Sequence, residues 1–260
     1  MQRIEGGEVG VSATDLKALL DVYGVDDPEM IEQLTEDTRI SRRQRYAIAP
    51  EYREHLTPAL LELMQFETEA VAIRAYQPVI YPGVLQTPAV ADSILAWGST
   101  KLSEEDRRFR FEVRMMRSRQ LVGRDDGPAY LLILDESVLK RQVGGVAVTA
   151  EQLDTIARVA RRPRVRIRVV PFAQGAYMGA LGPFQILDLS ADEQDAVLYR
   201  EAFSGDELVY DTAEVAFHRD AFERLWTVSM DENATLRAIE GEAAALRHAT
   251  VSTVRQTDQG

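Results

Sequence analysis

From residue 70 onward, short apolar segments alternate with longer amphipathic ones, and this order restricts the possible folds more than any other feature. Residues 130–134 form a continuous apolar run, which is typical of a buried strand, and residues 165–169 alternate between apolar and arginine side chains. Three short strands follow at 184–189, 196–201 and 207–210. The order predicts an α+β fold with a mixed, mostly antiparallel sheet flanked by helices.

The amphipathic segments predict helices at 58–66, 88–97, 106–121, 149–159, 212–228 and 231–248. The pair Thr57-Pro58 favours the start of the first of these helices. The Arg–Glu pairs of 106–121 are expected on a solvated face. Glu67 and Glu69, just before the first strand, are also expected to be solvated.

The N-terminal segment predicts helices of a different kind. Met1 and Ile4 lie three residues apart, and Glu5 precedes Gly6, as at the glycine-capped end of a recognition helix. Helices are predicted to start near Ser12 and, further on, at Asp27-Pro28. We therefore expect a partial helix-turn-helix over 1–45, an α+β domain over 46–252 and a disordered tail over 253–260. Arg3 is the candidate DNA contact.

Composition excludes several classes of function. The chain has 260 residues, no cysteine and a formal net charge of −12. Disulfides, thiol catalysis and thiolate metal sites are therefore excluded, and long-range attraction to nucleic acid is not expected. The sequence has neither an 18-residue apolar run nor a signal peptide, so we expect a cytoplasmic protein with no membrane span. No metal-binding pattern, nucleotide fingerprint or nucleophile elbow occurs, and no cofactor is expected.

A set of short stretches runs in order along almost the whole chain, namely 3–5 with 11–16, 73–78, 82–87, 134–136, 143–145, 170–172 with Gly175, 182–184 and 199–201. Together they resemble actinobacterial XRE-type helix-turn-helix regulators that carry a large C-terminal domain of unknown function and are often described as antitoxin-like. The resemblance implies a head that binds DNA and a C-terminal domain that binds a small-molecule effector or a small partner protein, with a homodimer as the assembly.

In that family the residues before the position of Met1 would form the first helices of the head and most of the recognition helix. Two interpretations of this difference stay open. The chain starts at an internal methionine, or it is a headless relative with a new role. In the second case, sequence-specific DNA binding is not expected, because half a recognition helix lacks its packing partner.

The first candidate ligand site is the segment 76–87, which joins a predicted strand to a predicted helix. Its candidate ligand-binding residues are Tyr76, Gln77, Tyr81 and Gln86. Loops on a rigid scaffold often carry binding groups, and an amide side chain can both donate and accept hydrogen bonds. The alternative is that Tyr81 and Gln86 only anchor the loop.

The second candidate site is the glycine-rich segment 171–183, which resembles a lid or a pocket wall. Its candidate ligand-binding residues are Phe172, Gln174, Tyr177 and Met178, and Arg141 is a further candidate. An adaptable apolar face for a ligand is the expected role of Tyr177 and Met178.

An enzyme acting on a small metabolite in the same pocket is the alternative function. Its acid–base groups would be Tyr81, Glu136 and Asp135, although Asp135 could equally cap the helix that follows it. The arginines of 158–168 are either a solvated basic face or a site for an anionic ligand.

Overall fold

The fold comes from a computed structural model, and the structure describes residues 13–43, 52, 54–97, 103–175, 182–201 and 205–257. The strands are β1 (Ala72–Gln77), β2 (Ala129–Asp135), β3 (Val165–Val170), β4 (Phe184–Asp188), β5 (Ala196–Arg200) and β6 (Glu207–Val209). The helices are α1 (Ala13–Tyr23), α2 (Pro28–Arg43), α3 (Pro58–Glu69), α4 (Pro88–Trp97), α5 (Glu104–Leu121), α6 (Glu136–Lys140), α7 (Val146–Val159), α8 (Thr212–Val228) and α9 (Glu232–Thr257).

The six strands form one mixed sheet in the order β3-β2-β1-β4-β5-β6. β1, β2 and β3 run parallel, and the pairs β1–β4, β4–β5 and β5–β6 are antiparallel. The predicted α+β class with a mixed, mostly antiparallel sheet is confirmed. The apolar run of 130–134 lies in β2, between β1 and β3, where both faces are covered and apolar side chains are needed throughout.

One face of the sheet, called here the first face, carries the larger core. Because side chains alternate along a strand, Ala75, Leu132 and Ile167 point to this face. Helices α3, α7 and α9 pack on it through residues such as Leu63 and Leu153. Several helices therefore cover the first face, and a ligand site could lie between these helices and the sheet.

The opposite face, called here the second face, packs against α8. Ile133, Ile186 and Leu198 of the sheet contact Phe222 and Leu225 of this helix. Arg74 of β1 and Arg219 of α8 both donate hydrogen bonds to the carboxylate of Asp188, which is buried in β4. A polar cluster thus joins α8 to the sheet beside the apolar contact.

The predicted helix starts are confirmed by the hydrogen bonds that cap them. Thr57 accepts from the Leu60 amide at 3.2 Å, and Asp211 accepts from the Glu214 amide at 2.9 Å. Asp27 accepts from the amide of Glu29 just before α2, and Gly24, with φ of +67°, ends α1. The last helix runs to residue 257, beyond its predicted end. The division at residues 45 and 252 stays a prediction.

Helices long and apolar enough to cross a membrane are absent from the described part of the chain. Residues 1–12, which include Arg3 and the expected recognition-helix end, lie outside the described residues.

Candidate functional site

The segment between β1 and α4 is held in place by side chains of other elements. Gln152 of α7 is fully buried, accepts from the Thr87 amide at 2.7 Å and donates to the Leu85 carbonyl at 2.7 Å. Ser137 donates to the Pro78 carbonyl at 2.9 Å. The loop is therefore a rigid wall built on the C-terminal end of β1.

A cavity of about 330 Å³, called here the polar cavity, lies between this loop, α5 and the first face of the sheet. Its apolar wall is formed by Leu60, Ile80, Pro82, Val84, Ile94 and Val113. Its polar wall is formed by Gln77, Tyr81, Gln86, Arg110, Arg114, Arg117, Tyr130, Gln185, Tyr199, Glu201 and Asp206. A volume near 300 Å³ with an apolar wall and a few convergent polar groups is typical of a site for a compact small molecule.

Helix α5 contributes three arginines to the cavity because Arg110, Arg114 and Arg117 recur at the spacing of one helical face. Arg117 is buried and makes two hydrogen bonds to the carboxylate of Glu67, at 2.8 and 2.6 Å. Burial alone would lower the pKa of Arg117, but the charge and hydrogen bonds of Glu67 raise it above its usual value. This pair is a fixed, ionised part of the wall.

The other two arginines are not neutralised in this way. In the part of the chain that the structure describes, the buried Nε of Arg110 and NH1 of Arg114 have no hydrogen-bond partner. Burial and, to a smaller extent, the neighbouring charge of Arg117 lower the pKa of Arg114 to about 10, although the charge of Glu201 acts in the opposite direction. Arg114 is therefore still protonated at neutral pH, but the folded protein disfavours its charge.

Three tyrosines complete the floor and rim of the cavity. Tyr81 and Tyr130 are almost completely buried, and their hydroxyl groups have no partner among the described residues. Burial raises the pKa of both phenols, and it also raises that of Tyr199, whose hydroxyl bonds to Asp206. All three are neutral at physiological pH, so each can donate one hydrogen bond and accept others.

Glu201 and Asp206 bring two carboxyl groups to one side of the cavity. Glu201 is exposed when the whole residue is considered, but its carboxyl group is surrounded by other protein atoms. Burial raises the pKa of this group, the charge of Asp206 raises it further, and Arg117, Arg114 and a hydrogen bond from Gln77 oppose the shift. Glu201 therefore binds a proton more readily than an ordinary glutamate.

We expect Glu201→Gln to become more stable relative to the parent protein as the pH rises. A carboxyl group with a raised folded-state pKa stabilises the fold fully below its unfolded pKa, and this contribution is lost as the pH rises through the folded pKa. Glutamine never ionises, so the variant avoids the loss. Urea unfolding of both proteins between pH 4 and pH 8 measures the difference. Glu207→Gln, an equal charge change at an exposed residue paired with Arg200, is the control. A constant difference across this pH range would contradict the assignment.

Three residues of the first predicted site line the polar cavity, namely Gln77, Tyr81 and Gln86. Gln86 also anchors the loop, because its amide nitrogen donates to the Tyr81 carbonyl at 2.7 Å, while its Oε1 has no partner among the described atoms. Tyr76 instead points to the second face, where it packs in the smaller core with Phe184.

The other candidates lie outside the lining of this cavity. Asp135 accepts from the Ser137 amide at 2.8 Å, so it caps α6, which was the alternative considered for it. Glu136 accepts from the amide of Phe172 at 2.8 Å, and Arg141 donates to the Val79 carbonyl at 3.0 Å. These three side chains support the loops at this edge of the sheet, and a ligand role for them stays a prediction.

The second predicted site is described only in part. Phe172 and Gln174 lie in a short 3₁₀ helix after β3, and both are exposed, Phe172 by 57 %. Tyr177 and Met178 fall outside the described residues.

The expected solvation of Glu67 was wrong, because this residue is only 3 % exposed. The Arg–Glu pairs of α5 do lie on an exposed face, where Arg108 is near Glu105 and Glu112. A different face of the same helix carries Arg110, Arg114 and Arg117 and lines the cavity. A sequence signal for this face existed, since positions 110, 114 and 117 share one side of a helix. Tyr130 and Tyr199 carried a weaker signal, because a tyrosine inside an apolar strand brings a hydroxyl group that needs a partner.

Three of the six arginines of 158–168 pair with acids. Arg161 pairs with Glu240, Arg162 lies near Asp125, and Arg168 pairs with Glu232 at 3.0 Å and lies over the ring of Trp226. Within the described ranges, no three histidine, aspartate or glutamate side chains are grouped so as to hold a metal ion.

Comparison with known proteins gives one result. No curated protein and no solved structure matches the chain. A family model described as "Domain of unknown function (DUF5753)" matches residues 60–241, a range that includes β1 to β6, α4 to α8 and the polar cavity. The match covers more than half of the chain, and the protein therefore belongs to the DUF5753 family.

Proposed function

We propose that this domain is the effector-binding part of a transcriptional regulator and that the polar cavity is its ligand site. The observation that carries the proposal is a set of buried polar atoms that have no partner among the described residues and that belong to side chains lining this one cavity. They are Tyr81 Oη, Gln86 Oε1, Arg110 Nε, Arg114 NH1 and Tyr130 Oη.

These atoms support a ligand site because leaving them without hydrogen bonds lowers the stability of the folded protein. A buried polar atom that makes no hydrogen bond destabilises the folded state by roughly 1–3 kcal/mol. Five of the ten such atoms in the described part of the chain belong to residues that line this one cavity, and binding sites are where folds retain groups of this kind. The cavity also has rigid walls, because Gln152 and Ser137 hold the loop from behind.

The regulator part of the proposal rests on the resemblance to XRE-type proteins and on the two helices α1 and α2. The start of α2 is capped by Asp27, and two successive helices suit the closing part of a helix-turn-helix head. Under this proposal the protein is a cytoplasmic homodimer, and the bound effector changes how a head reads DNA or how the domain holds a small partner protein in an antitoxin-like complex.

An enzyme is the second candidate, and Glu201 is the observation that favours it. A carboxyl group with a raised pKa, close to the neutral phenols of Tyr130 and Tyr199, suits general acid catalysis on a small molecule. Tyr81 keeps its predicted place in this candidate site, whereas Asp135 and Glu136 are held elsewhere by the contacts described above.

Thermal unfolding in the presence of a library of small metabolites tests the proposal. A compound that binds only the folded protein at 100 times its Kd stabilises the protein by about 2.7 kcal/mol, which raises the unfolding temperature measurably. We expect at least one compound to raise the unfolding temperature of the parent protein and not that of Gly83→Leu. The added side chain of this variant would enter the cavity, because a Cβ at residue 83 makes only ordinary contacts with Arg114.

Gly241→Leu is the matched control, since a Cβ at this position of α9 meets nothing within 4 Å. The proposal fails if no compound stabilises the parent protein, or if all three proteins respond equally. Mass spectrometry of the stabilising compound after incubation then separates the two candidates. An unchanged compound supports the effector, and a converted one supports the enzyme.

A further inference from the structure

We propose that the ligand of the polar cavity is a compact organic acid whose single oxyanion group, a carboxylate or a phosphate, is bound by Arg110 and Arg114. This inference rests on the proposed ligand site and adds the chemical class of the ligand.

The two arginines form a ready-made oxyanion site. They lie four residues apart on α5, so their side chains project in the same direction into the cavity. Guanidinium groups have only donors, so the unpartnered Arg110 Nε and Arg114 NH1 both require an acceptor. The hydroxyl groups of Tyr81 and Tyr130 line the same space and can donate to the same oxyanion.

The acidic side chains around the cavity are already engaged. Glu67 is held by both hydrogen bonds from Arg117, and Asp206 accepts from Tyr199. Glu201 receives a hydrogen bond from Gln77, and its raised pKa favours the protonated form. Arg110 Nε and Arg114 NH1 are donor atoms that none of these carboxyl groups accepts from, and an oxyanion on the ligand would supply the missing acceptor.

The rest of the lining selects an apolar body. Leu60, Ile80, Val84, Ile94 and Val113 form the apolar part of the cavity lining. A molecule with one oxyanion and a small hydrocarbon or aromatic body satisfies both walls. A strongly polar ligand would leave the apolar wall unused, and apolar contact supplies much of the affinity in sites of this kind.

The positive charge of Arg114 also affects the stability of the folded protein. The lowered pKa of Arg114 shows that the folded protein disfavours its ionised form, as expected for a group that is retained for binding rather than for folding. Arg114→Met should therefore unfold at the same or at a higher temperature than the parent protein, even though it loses the ligand. A purely structural role would predict the opposite change in unfolding temperature.

Fluorine NMR with a matched pair of probes, 4-fluorobenzoate and 4-fluorobenzamide, tests the ligand class. The two differ by a carboxylate and a neutral amide of similar shape. We expect the benzoate signal to broaden with the parent protein and the benzamide signal to stay sharp. Affinity for benzoate should fall roughly tenfold or more in Arg114→Met, because a hydrogen bond to a charged group contributes about 1.5–3 kcal/mol. Arg119→Met, an exposed arginine of the same helix outside the cavity, should bind benzoate as the parent does.

Inorganic phosphate added to the benzoate complex identifies the oxyanion. Displacement of benzoate assigns phosphates to the site, and benzoate that stays bound assigns carboxylates alone; either result supports the proposal. Equal binding of both probes, binding of neither, or equal loss in Arg114→Met and Arg119→Met overturns it. The thermal unfolding experiment described above tests the ligand site independently of the ligand class. If a neutral or basic metabolite stabilises the parent protein and not Gly83→Leu, the cavity is still a ligand site, and only the proposed ligand class is refuted.

Discussion

Arg117→Met should lower the free energy of unfolding by about 3–5 kcal/mol, because breaking a buried ion pair leaves one charge without compensation. Glu67 is 3 % exposed, and both of its carboxylate oxygens accept hydrogen bonds from Arg117. Methionine fills a similar space but cannot donate. The remaining carboxylate would have to be buried without its partner or take up a proton, and either change destabilises the fold.

Urea unfolding followed by circular dichroism measures this effect, and two further variants define its origin. The double variant Glu67→Met with Arg117→Met should recover most of the loss, since replacing both members of a buried pair by apolar residues is often neutral or stabilising. Arg108→Met, which removes exposed pairs with Glu105 and Glu112, should cost less than about 1 kcal/mol. A double variant as unstable as Arg117→Met alone would refute the buried-charge explanation.

Asp188→Asn should lower the free energy of unfolding by about 3 kcal/mol, at the lower end of the range for a broken buried pair. Asp188 accepts from Arg74 of β1 and, at 2.6 Å, from Arg219 of α8. Asparagine keeps the shape but offers one acceptor oxygen, and its amide NH₂ would face a guanidinium donor. The change therefore weakens the polar cluster that joins α8 to the second face of the sheet.

Thermal unfolding gives the size of the effect, and amide hydrogen exchange gives its location. We expect faster exchange in α8 and little change in α7, which packs on the opposite face. Asp220→Asn is the matched control, because Asp220 lies on α8 and pairs only with the exposed Arg224 among the ion pairs of the described residues. Similar losses of stability in the two variants would show that Asp188 contributes no more to stability than an exposed carboxylate does.

Local patterns determined the helices and strands. Thr57 and Asp211 start helices because their side chains bond to backbone amides within three residues, which depends on nothing remote. The alternating residues 165–169 lie in β3, and the apolar run 130–134 lies in β2. A strand buried on one face has alternating apolar residues, and a strand buried on both faces is apolar throughout, so both strands could be predicted from the sequence. The same local argument placed Tyr81 and Gln86 in a loop at a strand end, and both line the cavity. Gln77, predicted in the same loop, is the last residue of β1 and lines the cavity as well.

Only the tertiary structure decided which charged groups are buried. The charge pattern of 104–121 suits a solvated helix, but the helical face that carries Arg110, Arg114 and Arg117 is turned toward the sheet, where Glu67 meets Arg117. Periodicity shows that residues share a face and does not show what that face meets. The cavity itself joins residues from 60 to 206, so its wall depends on strand register and helix packing. These are long-range arrangements, set by how all the elements bury their apolar surfaces together, which no single segment of the sequence contains.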